Sequence, residues 1–449
     1  MEKDYGLVLS GGGTKGAFEM GVWKALRELK VPISCVVGTS IGAINAAMIA
    51  QNDYQIAHDF WSNVTINEVI KLNSTIADKY MNKWSGENSE LFRLDFLKDL
   101  FHGGLDVTPL RNNINRLISE ERIRKSPIRF GLVTVDLTNL TPVEIMIEDI
   151  PEGKLHDYIL ASASLPVFQR HEIDGNTFVD GAFYDNVPIN LMINNGYKDI
   201  ISVEFPDIGI RKKRKDDNIN LVVVDNSEFL GMVLEFNPEK IHNNMVMGYL
   251  DCKKTFGDLI GKHFYFDVST PSNSTVTQKV NAFIGTSLQN KSANNHVLSL
   301  LNLPDNANQQ LILNAIETLT KRTAYKEEEA LVLRLMEMTG KILGIERLEI
   351  YTPDEFLLKI LTTLEELTQS NLNLLKGNKI FKLLNNDDDI DYQPVSPTYF
   401  VSIYLLLSES EIGNSNFDIR RIIKHFSPEV ALSIIFLIYL HRFLRDRNA

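Results

Sequence analysis

The chain has 449 residues, of which 44% are hydrophobic and 23% charged, an ordinary globular composition that excludes a disordered, collagenous or coiled-coil protein. This length predicts two or three domains. The 46 basic and 58 acidic side chains give a formal net charge of −12, so no nucleic-acid partner is expected, and net charge will not recruit the chain to an anionic membrane.

The cysteines, the amino terminus and the apolar runs indicate where in the cell the protein is located. Cys35 and Cys252 lie far apart, which predicts buried thiols in a reducing compartment rather than a zinc site or a disulfide scaffold. The amino terminus lacks the charged and apolar segments of a signal peptide. The longest apolar run, residues 430–440, is about half of the ~20 residues that a membrane-crossing helix needs. We therefore expect a cytoplasmic protein without a transmembrane span.

The first fifty residues alternate between strand and helix. An apolar run at residues 7–9 ends in glycines, and apolar residues then recur at helical spacing as far as residue 29. A second strand-like run at 33–37 turns tightly into strong helix formers at 43–51. This order predicts a parallel sheet covered by helices.

The rest of the first half continues this mixed pattern. Residues 55–125 predict mainly helices, and a further helix is expected around 154–163. Further strands are expected at 128–135, 143–147, 178–182, 200–205 and 221–224. The basic run at 211–215 is interpreted as a solvated loop, with a phosphate-contacting patch as the alternative.

From about residue 305 the apolar spacing becomes helical throughout. Helices are predicted at 306–320, 327–343, 353–368, 396–407 and 418–445, and the polar stretch at 385–391 predicts a loop. The chain is therefore expected to carry an all-helical region at 305–449.

A candidate nucleophile lies in the second turn. Gly38-Thr39-Ser40-Ile41-Gly42 fits the pattern G-x-S-x-G, with a predicted strand before it and a helix after it. In such an elbow the serine occupies a strained turn that requires small flanking residues, and the following helix directs its N-terminus at the site. Serine is a weak nucleophile at neutral pH, so a base must accept its proton.

Two further segments also lie at strand ends. Asp180, in Val179-Asp180-Gly181-Ala182, is a candidate base, although an Asp-Gly pair alone is usually a structural turn. The loop from Ser10 to Gly16 contains Gly11, Gly12 and Gly13, whose backbone N–H groups can converge on a phosphate or on the oxyanion of a tetrahedral intermediate. This loop is not a Walker A loop, and no ribose-binding acid follows it at dinucleotide-fold spacing.

Together these segments resemble the patatin-like phospholipase family. Residues 11–16 are similar to its oxyanion-hole motif, 38–42 to its nucleophile motif and 180–182 to its aspartate motif. Ala161-Ser162-Ala163-Ser164-Leu165-Pro166 resembles a fourth family element. The similarity covers residues 5–205, and 224–249 resembles an extension found in bacterial members, so a catalytic domain is expected at 1–270.

The resemblance implies a three-layer α/β fold with a central, mostly parallel sheet, and a lipid acyl hydrolase of phospholipase A type. Ser40 would attack the acyl ester, Asp180 would act as general base without a histidine, and Gly11, Gly12 and Gly13 would form the oxyanion hole. Lys15 would hold a lipid phosphate or the loop itself. Membrane phospholipid would be the substrate, met by transient contact at the inner face of the membrane. No cofactor is expected, and no metal-ligand spacing is visible.

Two other functions remain open. One is an α/β-hydrolase-type esterase or thioesterase with a Ser-Asp-His triad, in which His242 or His263 would complete the triad. The other is a non-catalytic module whose glycine loop binds a phosphate or nucleotide.

The role of residues 305–449 is also open. A lid, a regulatory site, an oligomerisation surface and a membrane-docking element are all compatible with the pattern. The apolar run at 430–440 with the arginines that follow it suggests interfacial docking, whereas a helix buried in its own domain is the plainer interpretation. We also hypothesise that this region gates access to Ser40.

Overall fold

The computed structural model describes residues 4–71, 104–205, 208–267, 269, 276–289, 330–370, 396–412 and 427–448. The chain forms two compact units that divide after Gly257. Unit 1 comprises residues 1–257 and unit 2 comprises residues 258–449.

Unit 1 is built on one sheet of eight strands. The strands are β1 (Tyr5–Leu9), β2 (Ile33–Thr39), β3 (Arg129–Asp136), β4 (Thr141–Met146), β5 (His171–Ile173), β6 (Asn176–Asp180), β7 (Asp199–Glu204) and β8 (Asn220–Asp225). Strands β3, β2, β1, β7 and β8 are neighbours in that order and run parallel. β4 and β6 pair antiparallel with β3, and β5 pairs antiparallel with β6. The predicted, mostly parallel sheet is confirmed.

Helices cover both faces of this sheet. They are α1 (Gly16–Glu28), α2 (Ile41–Ala50), α3 (Tyr54–Asn63), α4 (Thr108–Leu117), α5 (Glu120–Arg124), α6 (Leu155–Ser162), α7 (Ile189–Asn194) and α8 (Pro238–Thr255). On one face, Val8 and Val37 share a buried cluster with Met192 of α7. Because strand side chains alternate, the neighbouring Leu7 and Leu9 face the opposite layer, and the result is a three-layer α/β fold.

Two glycines bring α1 and α8 into close contact. A Cβ on Gly21 would collide with the backbone carbonyl of Met245, and a Cβ on Gly248 would collide with that of Phe18. This close approach fixes α1 and therefore the glycine loop that precedes it.

Unit 2 is helical apart from one pair of short strands. Its described helices are α9 (Val276–Gln289), α10 (Ala330–Leu343), α11 (Pro353–Ser370), α12 (Pro397–Ile412) and α13 (Pro428–Asn448). The expected helical region is confirmed, but it is not entirely helical, because β9 (Tyr265–Phe266) pairs parallel with β10 (Ile350–Tyr351). The helix expected at 306–320 and the loop expected at 385–391 lie outside the described residues.

The units divide at a different point from the expected domains. Residues 258–270, expected at the end of the catalytic domain, lie in unit 2, where Phe264 and Phe266 join the hydrophobic core. The same core buries Ile434, Phe436 and Leu437 of α13. The apolar run at 430–440 is therefore buried within unit 2. This favours a helix packed in its own domain over a helix that docks at a membrane interface. In the part of the chain that is described, no helix is both long and apolar enough to cross a membrane.

Candidate active site

Ser40 lies in a sharp turn between β2 and α2. The serine has φ 57° and ψ −125°, a conformation that non-glycine residues rarely adopt. A Cβ on Gly38 would collide with the Gly42 carbonyl, and a Cβ on Gly42 would come within 2.6 Å of the Leu9 carbonyl oxygen. The two glycines are therefore required by backbone contacts, as expected for a nucleophile elbow.

Strand β3 brings the turn and Asp180 together. β2 ends with Thr39 opposite Val133, and β6 ends with Asp180 opposite Thr134, the next residue of β3. Ser40 follows Thr39 directly. Two segments 140 positions apart in sequence therefore meet at consecutive positions of one template strand.

The two side chains form a direct hydrogen bond. The Ser40 hydroxyl donates to Asp180 Oδ2 at 2.6 Å, and the Ala182 N–H donates to Asp180 Oδ1 at 2.8 Å. Asp180 is completely buried, and Ser40 is only 8% exposed. Burial raises the pKa of Asp180 from 3.8 to about 7, although both hydrogen bonds act in the opposite direction.

Two serines orient this pair. The Ser40 N–H donates to Ser162 Oγ at 3.0 Å, and the Ser162 hydroxyl donates to the Val133 carbonyl at 2.7 Å. The Ser164 carbonyl accepts the Asp180 N–H at 2.8 Å. In the sequence analysis these serines are part of a family motif without an assigned role. Their role depends on the placement of the end of α6 beside β3.

The glycine loop borders the same site, with one of its amides already engaged. The Gly11 N–H donates to the Asn186 carbonyl at 3.3 Å, and Asn186 Nδ2 donates to the Gly11 carbonyl at 3.1 Å. Within the described residues, the N–H groups of Gly12 and Gly13 have no protein acceptor. Gly13 has φ +60°, and a Cβ there would collide with the Val233 carbonyl. Of the three amides expected in the oxyanion hole, that of Gly11 is therefore already used within the protein.

Lys15 is more deeply buried than we would expect for a residue that contacts a lipid headgroup. Its side chain is 7% exposed, and its ammonium lies 5.5 Å from the ring centroid of Phe229. Contact with the loop that carries Phe229 is therefore better supported than contact with a lipid phosphate.

The family model for patatin-like phospholipases matches residues 7–193, a range that includes both Ser40 and Asp180. These residues are a patatin-like phospholipase domain. The matched range ends inside α7 and leaves unit 2 outside the family similarity.

Similar curated proteins carry this domain within much longer chains. Lysophospholipase NTE1 of Mycosarcoma maydis is 28% identical over 207 residues, which are 45% of this chain and 10% of that protein. Patatin-like phospholipase domain-containing protein 7 of Rattus norvegicus is 24% identical over 213 residues, which are 46% of this chain and 14% of that protein. The chain therefore matches a small part of the length of these relatives.

Among solved structures, VipD from Legionella pneumophila is 14% identical, with 98% of this chain and 90% of that chain covered. The TM-score is 0.37, which is too low to support an inference.

The pocket beside Ser40 is lined mainly by apolar side chains. It has a volume of about 730 Å³, including the part open to solvent. Its polar wall contains Ser40, Asp180 and the glycine loop. Its apolar walls are lined by Ile41, Ile44, Phe60, Trp61, Val64, Val69, Leu110, Ala163, Leu165, Phe168, Ala182, Ile208, Val233, Leu234 and Phe236. Such a pocket suits an acyl chain whose ester group reaches the serine.

A second buried carboxyl lies behind the glycine loop. Glu19 is fully buried and accepts a hydrogen bond from Asn45 Nδ2 at 2.7 Å, and the same amide donates to the Gly16 carbonyl at 3.0 Å. The indole N–H of Trp61 donates to Asn45 Oδ1 at 3.0 Å. Burial raises the pKa of Glu19 well above its usual range. This network, which sequence reasoning missed, joins α1, α2 and the pocket wall.

No histidine lines the pocket among the described residues. His242 is exposed on α8, and His263 belongs to unit 2. A metal site is likewise not found in the part of the chain that the structure describes, since no three histidine, cysteine, aspartate or glutamate residues are grouped to hold an ion.

Proposed function

We propose that the chain is a lipid acyl hydrolase of phospholipase A type that cleaves acyl esters of membrane lipids. The observation that carries this proposal is the 2.6 Å hydrogen bond from the Ser40 hydroxyl to Asp180 at the wall of an apolar pocket. The patatin-like phospholipase domain and the lysophospholipase relative support a lipid substrate.

In the first step Ser40 Oγ attacks the ester carbonyl carbon while Asp180 Oδ2 accepts the hydroxyl proton. A bond forms between Oγ and carbon, and the carbonyl π electrons move onto oxygen to give a tetrahedral oxyanion. The intermediate then collapses and expels the lipid alkoxide, which takes the proton back from Asp180. The products of this half-reaction are the leaving alcohol and an acyl-Ser40 ester.

In the second step water attacks the acyl-Ser40 carbonyl, and Asp180 accepts a proton from that water. Collapse of the second tetrahedral intermediate releases the fatty acid, and the proton returns from Asp180 to Ser40 Oγ. One ester and one water are consumed, and the enzyme is regenerated without a cofactor.

The amides of Gly12 and Gly13 are proposed to stabilise both oxyanions. They border the pocket beside Ser40, and neither is used by another acceptor in the described chain. Removing one such donor typically raises the barrier by about 3–4 kcal/mol. The N-terminus of α2, which begins directly after Ser40, adds a favourable dipole for the developing negative charge.

A direct dyad is better supported than a triad with histidine. Ser40 already donates to Asp180, so a histidine cannot lie between them in this conformation. A histidine would provide a base with a pKa near neutral pH. Burial gives Asp180 the same property, because a carboxyl with a pKa of about 7 is a far stronger base than an exposed aspartate. The apolar lining of the pocket gives no support to a nucleotide-binding module.

We also propose that catalysis takes place during transient contact of the protein with the inner face of the membrane. We further propose that unit 2 regulates access to Ser40, through a ligand or through oligomerisation. A patatin-like unit that folds without residues 258–449 and has the same specific activity as the full chain would contradict that role.

The test is fatty-acid release from defined phosphatidylcholine and phosphatidylglycerol vesicles by the full chain. We expect Ser40→Ala and Asp180→Asn to lose activity to background, whereas His242→Ala and His263→Ala keep it. Loss of activity in either histidine variant would support the triad. Undiminished hydrolysis by Ser40→Ala would refute the assignment.

A further inference from the structure

Exposed apolar side chains of unit 1 concentrate beside the pocket. Seven large apolar side chains are exposed in the described part of this unit, and four of them lie on segments that line the pocket. These four are Phe183, Ile210, Phe229 and Met232, and Phe183 and Phe229 are 53% and 62% exposed. Exposed apolar groups gathered at one place on a protein surface mark an interaction surface.

Phe183 and Ile210 lie on the Asp180 side of the pocket. Phe183 follows the pocket-lining Ala182, whose carbonyl accepts the Ile210 N–H at 2.9 Å. The Ile210 carbonyl in turn accepts the Asn186 N–H at 2.6 Å. These hydrogen bonds hold the backbone of Ile210 beside the segment that follows Asp180 and carries Phe183.

Phe229 and Met232 lie on the glycine-loop side. The Thr14 hydroxyl donates to the Met232 carbonyl at 2.9 Å, and the Thr14 N–H donates to the carbonyl of the pocket-lining Val233 at 2.9 Å. The ammonium of Lys240 donates to the Phe229 carbonyl at 2.7 Å. Apolar side chains are therefore exposed on both the Asp180 side and the glycine-loop side of the pocket.

A run of basic side chains directly follows Ile210. All five residues of the run Arg211-Lys212-Lys213-Arg214-Lys215 are exposed. Arg211 forms an ion pair with Glu204 at 2.8 Å, and Arg214 lies 3.9 Å from Asp217. Lys212, Lys213 and Lys215 form no ion pair with any described residue.

The backbone of this run is held by hydrogen bonds to Asp185 and to Asn190 of α7. Asp185 Oδ1 accepts the Lys212 N–H at 3.4 Å, and Asn190 bonds to both the Lys213 carbonyl at 3.0 Å and the Lys215 N–H at 2.9 Å. The Lys212 ammonium lies 4.1 Å from the ring centroid of Tyr184, and the Lys215 ammonium donates to Asn194 Oδ1 at 3.4 Å. This basic run stands out in a chain whose net charge is −12.

We propose that Phe183, Ile210, Phe229 and Met232, together with Lys212, Lys213 and Lys215, form a docking surface for an anionic lipid bilayer. The apolar side chains would enter the interface, and the lysines would meet the lipid phosphates and acidic headgroups. Charges elsewhere on the acidic chain do not oppose this, since the Debye length is about 8 Å at physiological salt. The inference deepens the proposed function, because docking here would bring lipid to the pocket beside Ser40.

The test compares two triple variants of the full chain, both in the Ser40→Ala background so that vesicles stay intact. The first is Lys212→Gln/Lys213→Gln/Lys215→Gln. The matched control is Lys30→Gln/Lys125→Gln/Lys198→Gln, which removes the same charge from three exposed lysines. These precede β2, β3 and β7, at the edge of the sheet opposite Ser40. Binding is measured by flotation with vesicles of equimolar phosphatidylcholine and phosphatidylglycerol, and with phosphatidylcholine alone.

Each basic side chain at an anionic surface contributes about fivefold to partitioning, so we expect the first triple to lose about 100-fold. The control should lose less than about threefold, and binding of the parent should fall steeply with added salt. Equal losses in both triples would mean a net-charge effect and would overturn the proposal, as would unchanged binding of the first triple or failure of the parent to bind.

A second comparison addresses the apolar part. Phe229→Ser should weaken binding to both kinds of vesicle without changing the salt dependence. Leu358→Ser, which alters a side chain of similar exposure in unit 2, should leave binding unchanged. Unchanged binding of Phe229→Ser would remove the apolar residues from the proposed surface.

Activity on a monomeric short-chain ester separates this proposal from the proposed function. Measured with Ser40 intact, the lysine triple should keep the kcat/KM of the wild type on that ester while its vesicle hydrolysis falls. Absence of any ester hydrolysis in the wild type would refute the enzyme assignment and leave the binding result to stand on its own. Equal loss on both substrates would overturn the docking surface.

Discussion

Replacing Asp180 with asparagine should stabilise unit 1 at alkaline pH while it abolishes catalysis. The carboxyl is completely buried, and its two hydrogen-bond donors do not offset the loss of hydration, so its pKa rises from 3.8 to about 7. Asparagine is isosteric and neutral. Its oxygen can accept the Ala182 N–H and its amide can donate to Ser40 Oγ, so the change removes the buried charge without leaving a cavity.

The magnitude and sign follow from proton linkage. The pKa difference of about three corresponds to about 4 kcal/mol at most, at about 1.4 kcal/mol for each pKa unit. Between pH about 4 and pH about 7 the folded carboxyl keeps a proton that the unfolded one releases. Its stabilising contribution is therefore complete below pH about 4 and lost as the pH rises to about 7. The variant should match the wild type near pH 4 and exceed it by about 2–4 kcal/mol above pH 8.

Tryptophan fluorescence during urea unfolding measures this difference within unit 1. All three tryptophans of the chain, Trp23, Trp61 and Trp84, lie in residues 1–257. Asp149→Asn provides the matched control, because it makes the same chemical change at an exposed position and should have little effect at any pH. A stability difference between wild type and Asp180→Asn that does not change with pH would refute the argument that burial raises this pKa.

Three further outcomes are expected. The kcat/KM for a short-chain ester should fall about tenfold for each pH unit below pH about 7, because Asp180 must be ionised to act as base, and a limb near pH 4 would contradict this. Asn186→Ala should lower kcat about 10–100-fold with little change in KM, since it removes the amide that holds the Gly11 carbonyl, and a change in KM alone would contradict a positioning role. Burial raises the pKa of Cys35 to about 11 and that of Cys252 to about 12, so both thiols should resist a disulfide reagent until urea unfolds the chain, and rapid native labelling would contradict their burial.

The nucleophile turn could be predicted from sequence because its constraints are local. Gly38 and Gly42 are required by contacts within the turn and with the adjacent strand, and the spacing of the motif reflects those contacts. The position of Asp180 at a strand end was also readable from neighbouring residues. Its contact with Ser40 was not, because the contact depends on β6 pairing with β3 where β2 ends.

The roles of residues that act through long-range register could not be predicted from the sequence for the same reason. Ser162 and Asn186 are polar residues of common type, and only the fold turns their side chains toward Ser40 and the glycine loop. Ser164 contacts Asp180 through its backbone carbonyl, which no side-chain pattern can reveal. Helix α8 was not among the predicted helices. Gly248 lowers its helix propensity, yet α1 packs against α8 closely enough to require a glycine there. Strand β5 has three residues, too few for an alternating pattern.

Covalent labelling of the active serine tests the central claim most directly. The full chain is treated with a fluorophosphonate that carries an alkyl chain, and the modified peptide is identified by mass spectrometry. We expect phosphonylation of Ser40 in the wild type at a rate that rises with pH through about 7, and a much slower reaction in Asp180→Asn. Labelling of a different serine, or labelling of Ser40 at the same rate in Asp180→Asn, would contradict a nucleophile activated by this carboxylate.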